Sequence, residues 1–384
     1  MAEFPVNPIM SLVGPAPRHD LGGSYGPNLF VREVLGAGVP MEDLPLSYRT
    51  AEGDPRLRKA IAELYGVSAE DVVITVGGMH ALFLLAFVLC NRGDEAVITS
   101  AVFPPSRSVL DAVGANVRSL PVSFAERYRV DPEAVGKLVS RETRLVSLAS
   151  PQNPSGTAIP HATLEDLARL LKVRSPHAYL LVDDTYREAA IGADAVAPSP
   201  AGLGKNVVCV ASLSKCYGAP GLRLGWVVTR DAELRARLVR AKFNTVISCP
   251  ALDEEIAVRV FDRREQIVAE RRDFLARCLD VMQSWARANE AFVDWVRPDA
   301  GAICCARLKP AVFDDGAVGS FYRALDEAGA RVSRGTWFGD EARVFRIGFA
   351  HMPVADLERA LGVLSAALRK TAERPSPGRA DSGG

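Results

Sequence analysis

Between residues 72 and 229 short apolar runs alternate with stretches of helical periodicity. Val72–Thr75, Ala96–Thr99, Asn116–Val122, Arg144–Leu148, Tyr179–Val182, Val207–Ala211 and Leu224–Val228 are the candidate strands. They are apolar runs in place of alternating ones, which predicts a mostly parallel seven-stranded sheet covered by helices on both faces. Ahead of the first strand, Leu57, Ile61 and Leu64 fall on one face of a helix predicted from Asp54 to about Tyr65. Met79–Cys90 reads as a buried helix and Ser106–Val113 as another. Thr163 and Asp166 stand at capping-box spacing ahead of the stripe Leu164, Leu167, Leu170 and Leu171.

Beyond residue 229 the pattern changes. Leu252 to Asn289 is continuously helical and highly charged, which predicts one long helix leaving the large domain. A smaller α+β unit follows, with strands at Phe292–Val296, Ile303–Leu308 and Arg343–Phe349 and helices at Val318–Ala328 and Val354–Lys370. The first 45 or so residues are rich in Pro and Gly and predict an extended arm, then a short helix around Asn28–Leu35. The expected division is therefore an arm with part of the small domain (1–45), a large α/β domain (46–270), a small domain (271–372) and a disordered tail (373–384).

Composition narrows the function classes. The chain has 384 residues with 46 basic and 46 acidic side chains, 48% hydrophobic and 24% charged. That balance belongs to a globular protein with a large core, and a net charge of zero gives no electrostatic reason to bind nucleic acid or an acidic membrane. The longest apolar run, Ala81–Cys90, is about half the roughly 20 residues needed to span a bilayer. The opening MAEFPVNPIM has neither a basic region nor a long apolar one, so no signal peptide is expected and the cytoplasm fits. Seven cysteines without a C-x-x-C pair and five isolated histidines predict neither a disulfide framework nor a metal site. Only eight of the basic residues are lysines, which draws attention to any lysine in an apolar context.

One such lysine is Lys215, in Ser212-Leu213-Ser214-Lys215-Cys216-Tyr217-Gly218-Ala219-Pro220-Gly221-Leu222-Arg223-Leu224-Gly225-Trp226. The segment follows an apolar strand, where open α/β sheets place their ligands. Ser212, Ser214 and Arg223 could hold a phosphate, and Lys215 could condense with an aldehyde. Alone, the lysine reads first as a solvated loop residue. The whole segment resembles the S-x-S-K-x-x-x-x-x-G-x-R-x-G-W motif of the class I/II aminotransferases, fold-type-I enzymes that use pyridoxal 5′-phosphate (PLP). The resemblance extends in order over roughly residues 45 to 350.

Further segments take their meaning from that resemblance. Ser150-Pro151-Gln152-Asn153-Pro154-Ser155-Gly156-Thr157, by itself an ordinary turn, is similar to the family's N-P-x-G-T. This implies that Asn153 donates to the phenolic oxygen of the cofactor ring and lies near the substrate. Asp183 and Tyr186 match D-x-x-Y, which implies a carboxylate on the ring nitrogen and a hydroxyl on the phenolic oxygen. Asp184 competes with Asp183 but has the wrong spacing to Tyr186. Gly77, Gly78 and Met79 would bring a helix N-terminus to the phosphate. Phe103 falls where the family stacks an aromatic ring on the cofactor. Tyr48 resembles the tyrosine that reaches a phosphate across a homodimer interface, which implies composite active sites. Arg346, interrupting the apolar run Val344–Phe349, matches the arginine that clamps a substrate α-carboxylate. A glycine of an N-terminal lid is expected within Leu21–Asn28, which aligns in more than one way. His80 and Cys216 receive no role.

The resemblance implies a PLP-dependent enzyme acting on an α-amino acid, first of all an aminotransferase, possibly in natural-product biosynthesis. The family also holds non-transaminating members of the capreomycidine-synthase type. Cyclisation, β- or γ-elimination or replacement, C–C bond formation and oxidation therefore form the alternative. A PLP-sensing regulator would need a DNA-binding helix-turn-helix, for which the sparsely charged, Pro/Gly-rich opening gives no support.

Overall fold

In the computed structural model the described residues are 3–35, 41, 43–192 and 196–372. The expected tail at 373–384 lies outside them. The large sheet consists of β1 (Val72–Thr75), β2 (Glu95–Thr99), β3 (Asn116–Leu120), β4 (Thr143–Ala149), β5 (Tyr179–Asp183), β6 (Val207–Ser212) and β7 (Gly225–Thr229), in the order β1-β7-β6-β5-β4-β2-β3. All neighbours are parallel except β7, which runs antiparallel to β1 and to β6. The seven predicted strands are all present, with ends shifted by a residue or two.

The apolar runs are continuous because successive residues feed different cores. Val146, Leu180, Val182 and Val207 pack with the helix His161–Arg174 on one face. Leu145, Leu181, Val208 and Val210 pack with the helix Gly77–Leu89 on the other. Neither face meets water, so neither needs polar alternation.

The small unit has the antiparallel strands β8 (Val293–Val296), β9 (Ile303–Leu308), β10 (Ser333–Arg334) and β11 (Val344–Gly348), in the order β10-β11-β9-β8. The two-residue strand β10 carried no periodic signal. The N-terminal arm joins this unit: His19 and Asp20 pair in parallel with Ala330 and Arg331, and Leu21 enters its core.

Two expectations are corrected. The predicted helix 252–289 is two helices, Ala251–Asp262 and Arg264–Ala288, broken at Arg263. The first sends Ile256, Ala257 and Phe261 into the large-domain core, whereas the second sends Leu275, Cys278 and Met282 into the small one. The second helix itself passes from one core to the other, with Ile267 and Val268 still in the large-domain cluster, a passage that a single amphipathic pattern does not announce. The boundary expected at 270/271 falls inside the second helix. Thr163 and Asp166 form no capping box, because the helix already begins at His161 behind Pro160, and no side chain caps it. The helix therefore starts three residues earlier than a Thr163 cap implies, with Pro160 at the N-cap position.

No helix among the described residues is long and apolar enough to cross a membrane. No group of metal-ligating side chains is found among them.

Candidate active site

The carboxyl ends of β1, β4, β5 and β6 open on one edge of the large sheet, and the register places their last residues side by side. Thr75 and Ser212 both pair with Gly225, and Asp183 pairs with Ala149. Lys215 follows Ser212 by three residues, the turn carrying Asn153 follows Ala149, and Gly77 and Gly78 open the helix after β1. Residues scattered over more than 130 positions thus converge without any of them lying in a regular strand interior.

On one side of Lys215 lies a concave cradle. Gly77 has φ +75°, and a Cβ there would come within 2.5 Å of Arg223 Nη2, so only glycine lets the guanidinium close over this backbone. The Ser214 amide donates to Ser212 Oγ at 3.3 Å. No side chain caps the Gly77–Leu89 helix. Met79 is half-buried in its first turn. His80, in the same turn, accepts from the Val76 amide through Nδ1 at 3.2 Å and meets Thr245 Oγ1 through Nε2. Burial and the nearby Lys242 charge push it down to about 4, so it stands neutral and fully engaged.

On the other side are the groups predicted around a ring. Asp183 accepts from the Thr185 amide at 3.1 Å. Burial raises its carboxyl above the usual range, opposed by hydrogen bonds from Thr185 and then by the Lys215 charge. The neighbouring Asp184 belongs to a different system, accepting from Tyr65 Oη at 2.7 Å and from Arg187 Nε at 3.0 Å. Tyr186 Oη donates to the Ser24 carbonyl at 3.0 Å, and burial lifts its hydroxyl to about 12. Phe103 is half-buried at the start of the helix Pro104–Ala112. Its neighbour Val102 donates to the Phe338 carbonyl at 3.0 Å.

Arg346 is buried in β11, with its guanidinium 4.8 Å above the Phe338 ring. Nη1 donates to Asn153 Oδ1 at 2.8 Å, and Nη2 donates to the Gly22 carbonyl at 2.7 Å and to Ser333 Oγ at 3.0 Å. Nε is buried without a partner. Arg343, on the same strand's approach, instead turns to Asp315.

The ambiguous stretch Leu21–Asn28 has one arrangement. Gly22 meets Arg346, Ser24 Oγ accepts from Lys215 Nζ at 2.8 Å, and the Tyr25 ring lies 5.9 Å from Nζ. Ser24 and Tyr25 were missed because nothing local marks them; the Gly-Gly-Ser run was the only signal. Burial, and then the Arg346 charge, bring the Lys215 ammonium down to about 8. Cys216 faces away and donates to the Thr185 carbonyl at 3.0 Å. Tyr48 stays out of this chain's site with 81% of its surface exposed.

The profile of the class I and II aminotransferases matches residues 45–364. The chain belongs to this family. Among its relatives is an arginine–pyruvate transaminase of Pseudomonas aeruginosa, 30% identical over 309 residues that cover 77% of this chain and 75% of the relative. Capreomycidine synthase of Streptomyces vinaceus is 29% identical over 317 residues, 82% of this chain and 79% of the relative. The solved structure of a PLP-dependent aminotransferase from Streptococcus suis superposes with a TM-score of 0.87, covering 97% of this chain and 100% of the other at 23% identity. The fold is that of the fold-type-I aminotransferases.

Class I and II aminotransferases use PLP, and the residues present fit it. The cradle offers uncapped helix N–H groups, two serines and a guanidinium to a phosphate dianion. Asp183 offers a carboxylate, and Lys215 a buried amine of lowered basicity, as condensation with an aldehyde requires.

Proposed function

We propose that this aminotransferase-family enzyme transfers the amino group of an α-amino acid to an oxo acid. The observation that carries this reading is the buried Arg346, locked to Asn153 in the site that also holds Lys215. A planar guanidinium anchored on one side offers its remaining edge to a carboxylate in one orientation. When bound, PLP supplies an aldehyde and an electron-withdrawing ring. Gly77, Gly78, Met79, Ser212, Ser214 and Arg223 would hold its phosphate. Asp183 would sit on the ring nitrogen, Asn153 and Tyr186 on the phenolic oxygen, and Phe103 against the ring face. Arg346 orients the substrate so that the bond from its α-carbon to hydrogen faces Lys215. Lys215 removes that proton and returns it, acting as base and then acid. The lid from Gly22 to Tyr25 covers this edge and excludes water.

The same residues would serve a non-transaminating reaction. The likeness to capreomycidine synthase favours this as the second reading. A panel of amino acids added to purified holoenzyme separates the two, with cofactor absorbance and products followed together. A stoichiometric shift to the pyridoxamine form with release of the oxo acid supports transamination. Return of the starting spectrum with ammonia loss, ring closure or a new bond supports the second reading.

The working unit is proposed to be a cytoplasmic homodimer with composite sites. Leu46 and Tyr48 are both more than 80% exposed, and Phe243, Val246, Ile247 and Leu252 add apolar surface on this chain. A partner copy would cover such groups and receive Tyr48 at its phosphate cradle.

A further inference from the structure

Ser24 meets two residues of the site through two different groups. Its hydroxyl oxygen accepts from Lys215 Nζ at 2.8 Å, and its carbonyl accepts from Tyr186 Oη at 3.0 Å. Two residues earlier, the Gly22 carbonyl accepts from Arg346 Nη2 at 2.7 Å. The backbone around Ser24 is built for close approach. The Gly348 amide donates to the Leu21 carbonyl at 2.7 Å, and a Cβ at Gly348 would collide with the Gly23 carbonyl. A Cβ at Gly23 would lie 2.8 Å from the His351 ring, so glycine at both positions lets the two segments touch. Beyond Ser24, the Tyr25 ring packs on the same His351 ring, with 5.6 Å between centroids. Contacts on either side thus fix Ser24 without using its hydroxyl, which is left to Lys215.

A hydroxyl suits a lysine that must act as base and then as acid. A neutral amine carries N–H groups and a lone pair, so it can donate to Ser24 Oγ and keep the lone pair for a proton. The ammonium donates to the same oxygen. A carboxylate in that place would trap the ammonium, whereas an uncharged oxygen favours it only slightly.

We infer that Ser24 is a positioning residue for Lys215: with the lid down, its hydroxyl holds Nζ in one place while the lysine removes the α-proton and returns it. The inference rests on the proposed action on α-amino acids. The C–H bond breaks as the Nζ lone pair forms a new N–H bond, and the electron pair of the C–H bond stays with the substrate. On return that N–H bond breaks and the proton goes to carbon. Ser24 keeps its own proton throughout. Lid closure and proton transfer are thereby linked, because the hydroxyl reaches Nζ from the same segment that sets Gly22 on Arg346.

Ser24→Ala removes the hydroxyl and leaves the Gly22 and Ser24 backbone carbonyls to Arg346 and Tyr186, whereas Ser24→Thr keeps it. In cofactor-free protein, amine labelling of Lys215 reads the bond directly. The oxygen favours the ammonium, so its loss should lower the labelling midpoint below the wild-type value of about 8, with the Arg346, Asp183 and Arg223 charges unchanged. The threonine variant should keep the wild-type midpoint.

In holoenzyme, L-alanine, L-arginine and L-glutamate are each mixed in α-protonated and α-deuterated form, and cofactor absorbance is followed through a single turnover. Ser24→Ala should slow the fastest of them by about tenfold or more, raise its deuterium isotope effect and leave its half-saturating concentration within about threefold. Ser24→Thr should restore the rate and the isotope effect. Ser24→Cys, a much weaker hydrogen-bonding partner, stands in if the alanine variant does not fold. Either an unchanged midpoint or an unchanged isotope effect in Ser24→Ala would overturn the inference. So would a rise confined to the half-saturating concentration, which marks a serine that only braces the lid. If none of the three amino acids changes the absorbance, the reading of the substrate fails instead, and the midpoint still decides the bond between Ser24 and Lys215. A non-transaminating product leaves the inference standing, since loss of the α-proton opens that reaction too.

Discussion

Arg346 of β11 and Asn153 of the β4 turn are joined side chain to side chain at 2.8 Å, across 193 residues of sequence. The bond ties the small unit's sheet to the edge of the large one. It occupies the asparagine oxygen, which leaves the Nδ2 donor for a second acceptor. The proposed substrate clamp and the proposed ring contact are therefore mechanically one unit, and disturbance of either should be felt by the other.

Replacing Arg346 tests this directly. Loss of a charge-assisted pair in a closed site amounts to roughly 2–5 kcal/mol. Arg346→Ala should lower kcat/KM for the amino-acid substrate by about two orders of magnitude while the cofactor absorbance persists. Arg346→Lys should not rescue it, because an ammonium cannot copy the two-pronged fork. Near-native kcat/KM in the alanine variant would mean that another group holds the carboxylate.

Lys215 is expected to carry the cofactor. Borohydride reduction followed by peptide mapping should place the pyridoxyl group on Lys215, and Lys215→Ala should abolish both the label and turnover. Recovery of the label on any other lysine contradicts the assignment.

The adjacent aspartates should respond in opposite ways. Asp184 is bonded to Tyr65 and to the buried Arg187, so Asp184→Asn leaves a buried guanidinium without its counterion. The cofactor-free protein should lose about 3–5 kcal/mol in urea unfolding. Asp183 has no such partner and its carboxyl is already raised by burial, so Asp183→Asn should leave apo stability within about 1 kcal/mol and instead weaken cofactor retention. Two equal stability losses would refute the division of labour.

Basicity gives a fourth measurement. In cofactor-free protein, amine labelling of Lys215 should follow a titration centred at about 8, well below an ordinary lysine. Burial is the main cause, and the positive Arg346 adds to it by disfavouring a second cation. Arg346→Met removes that charge, so the ammonium becomes easier to form and the midpoint should move up. Labelling rates against pH for both proteins, read by mass spectrometry at the Lys215 peptide, check the sign. A midpoint that falls or stays fixed rejects the coupling.

Assembly supplies the fifth. A homodimer should bury more than about 2,000 Å² in total and persist at micromolar concentration. Tyr48→Phe should weaken cofactor affinity without changing the mass seen by light scattering. A fully active monomer would exclude composite sites.

Apart from the edge strand β3, the strands of the large sheet were legible in the sequence because burial on both faces writes itself locally, as short apolar runs of the right length. The Lys215 segment was legible for a related reason: its hydroxyls, glycines and arginine lie within one loop, so their spacing is preserved along the chain. What the chain order could not carry was closure. The break at Arg263 separates two helices that both feed the large-domain core, and the second passes on into the small one, which one amphipathic pattern does not announce. The arrangement of Gly22, Ser24 and Tyr25 is decided by Arg346 and Lys215, more than 190 residues away, through bonds to a glycine carbonyl and a serine hydroxyl that leave no periodic trace. Arg271 looked like one more charge on a highly charged helix. Only the packing of that helix against Gly26 and Gly218 seals its Nη1 from water, because burial and partnership are properties of the folded surroundings and not of the residue.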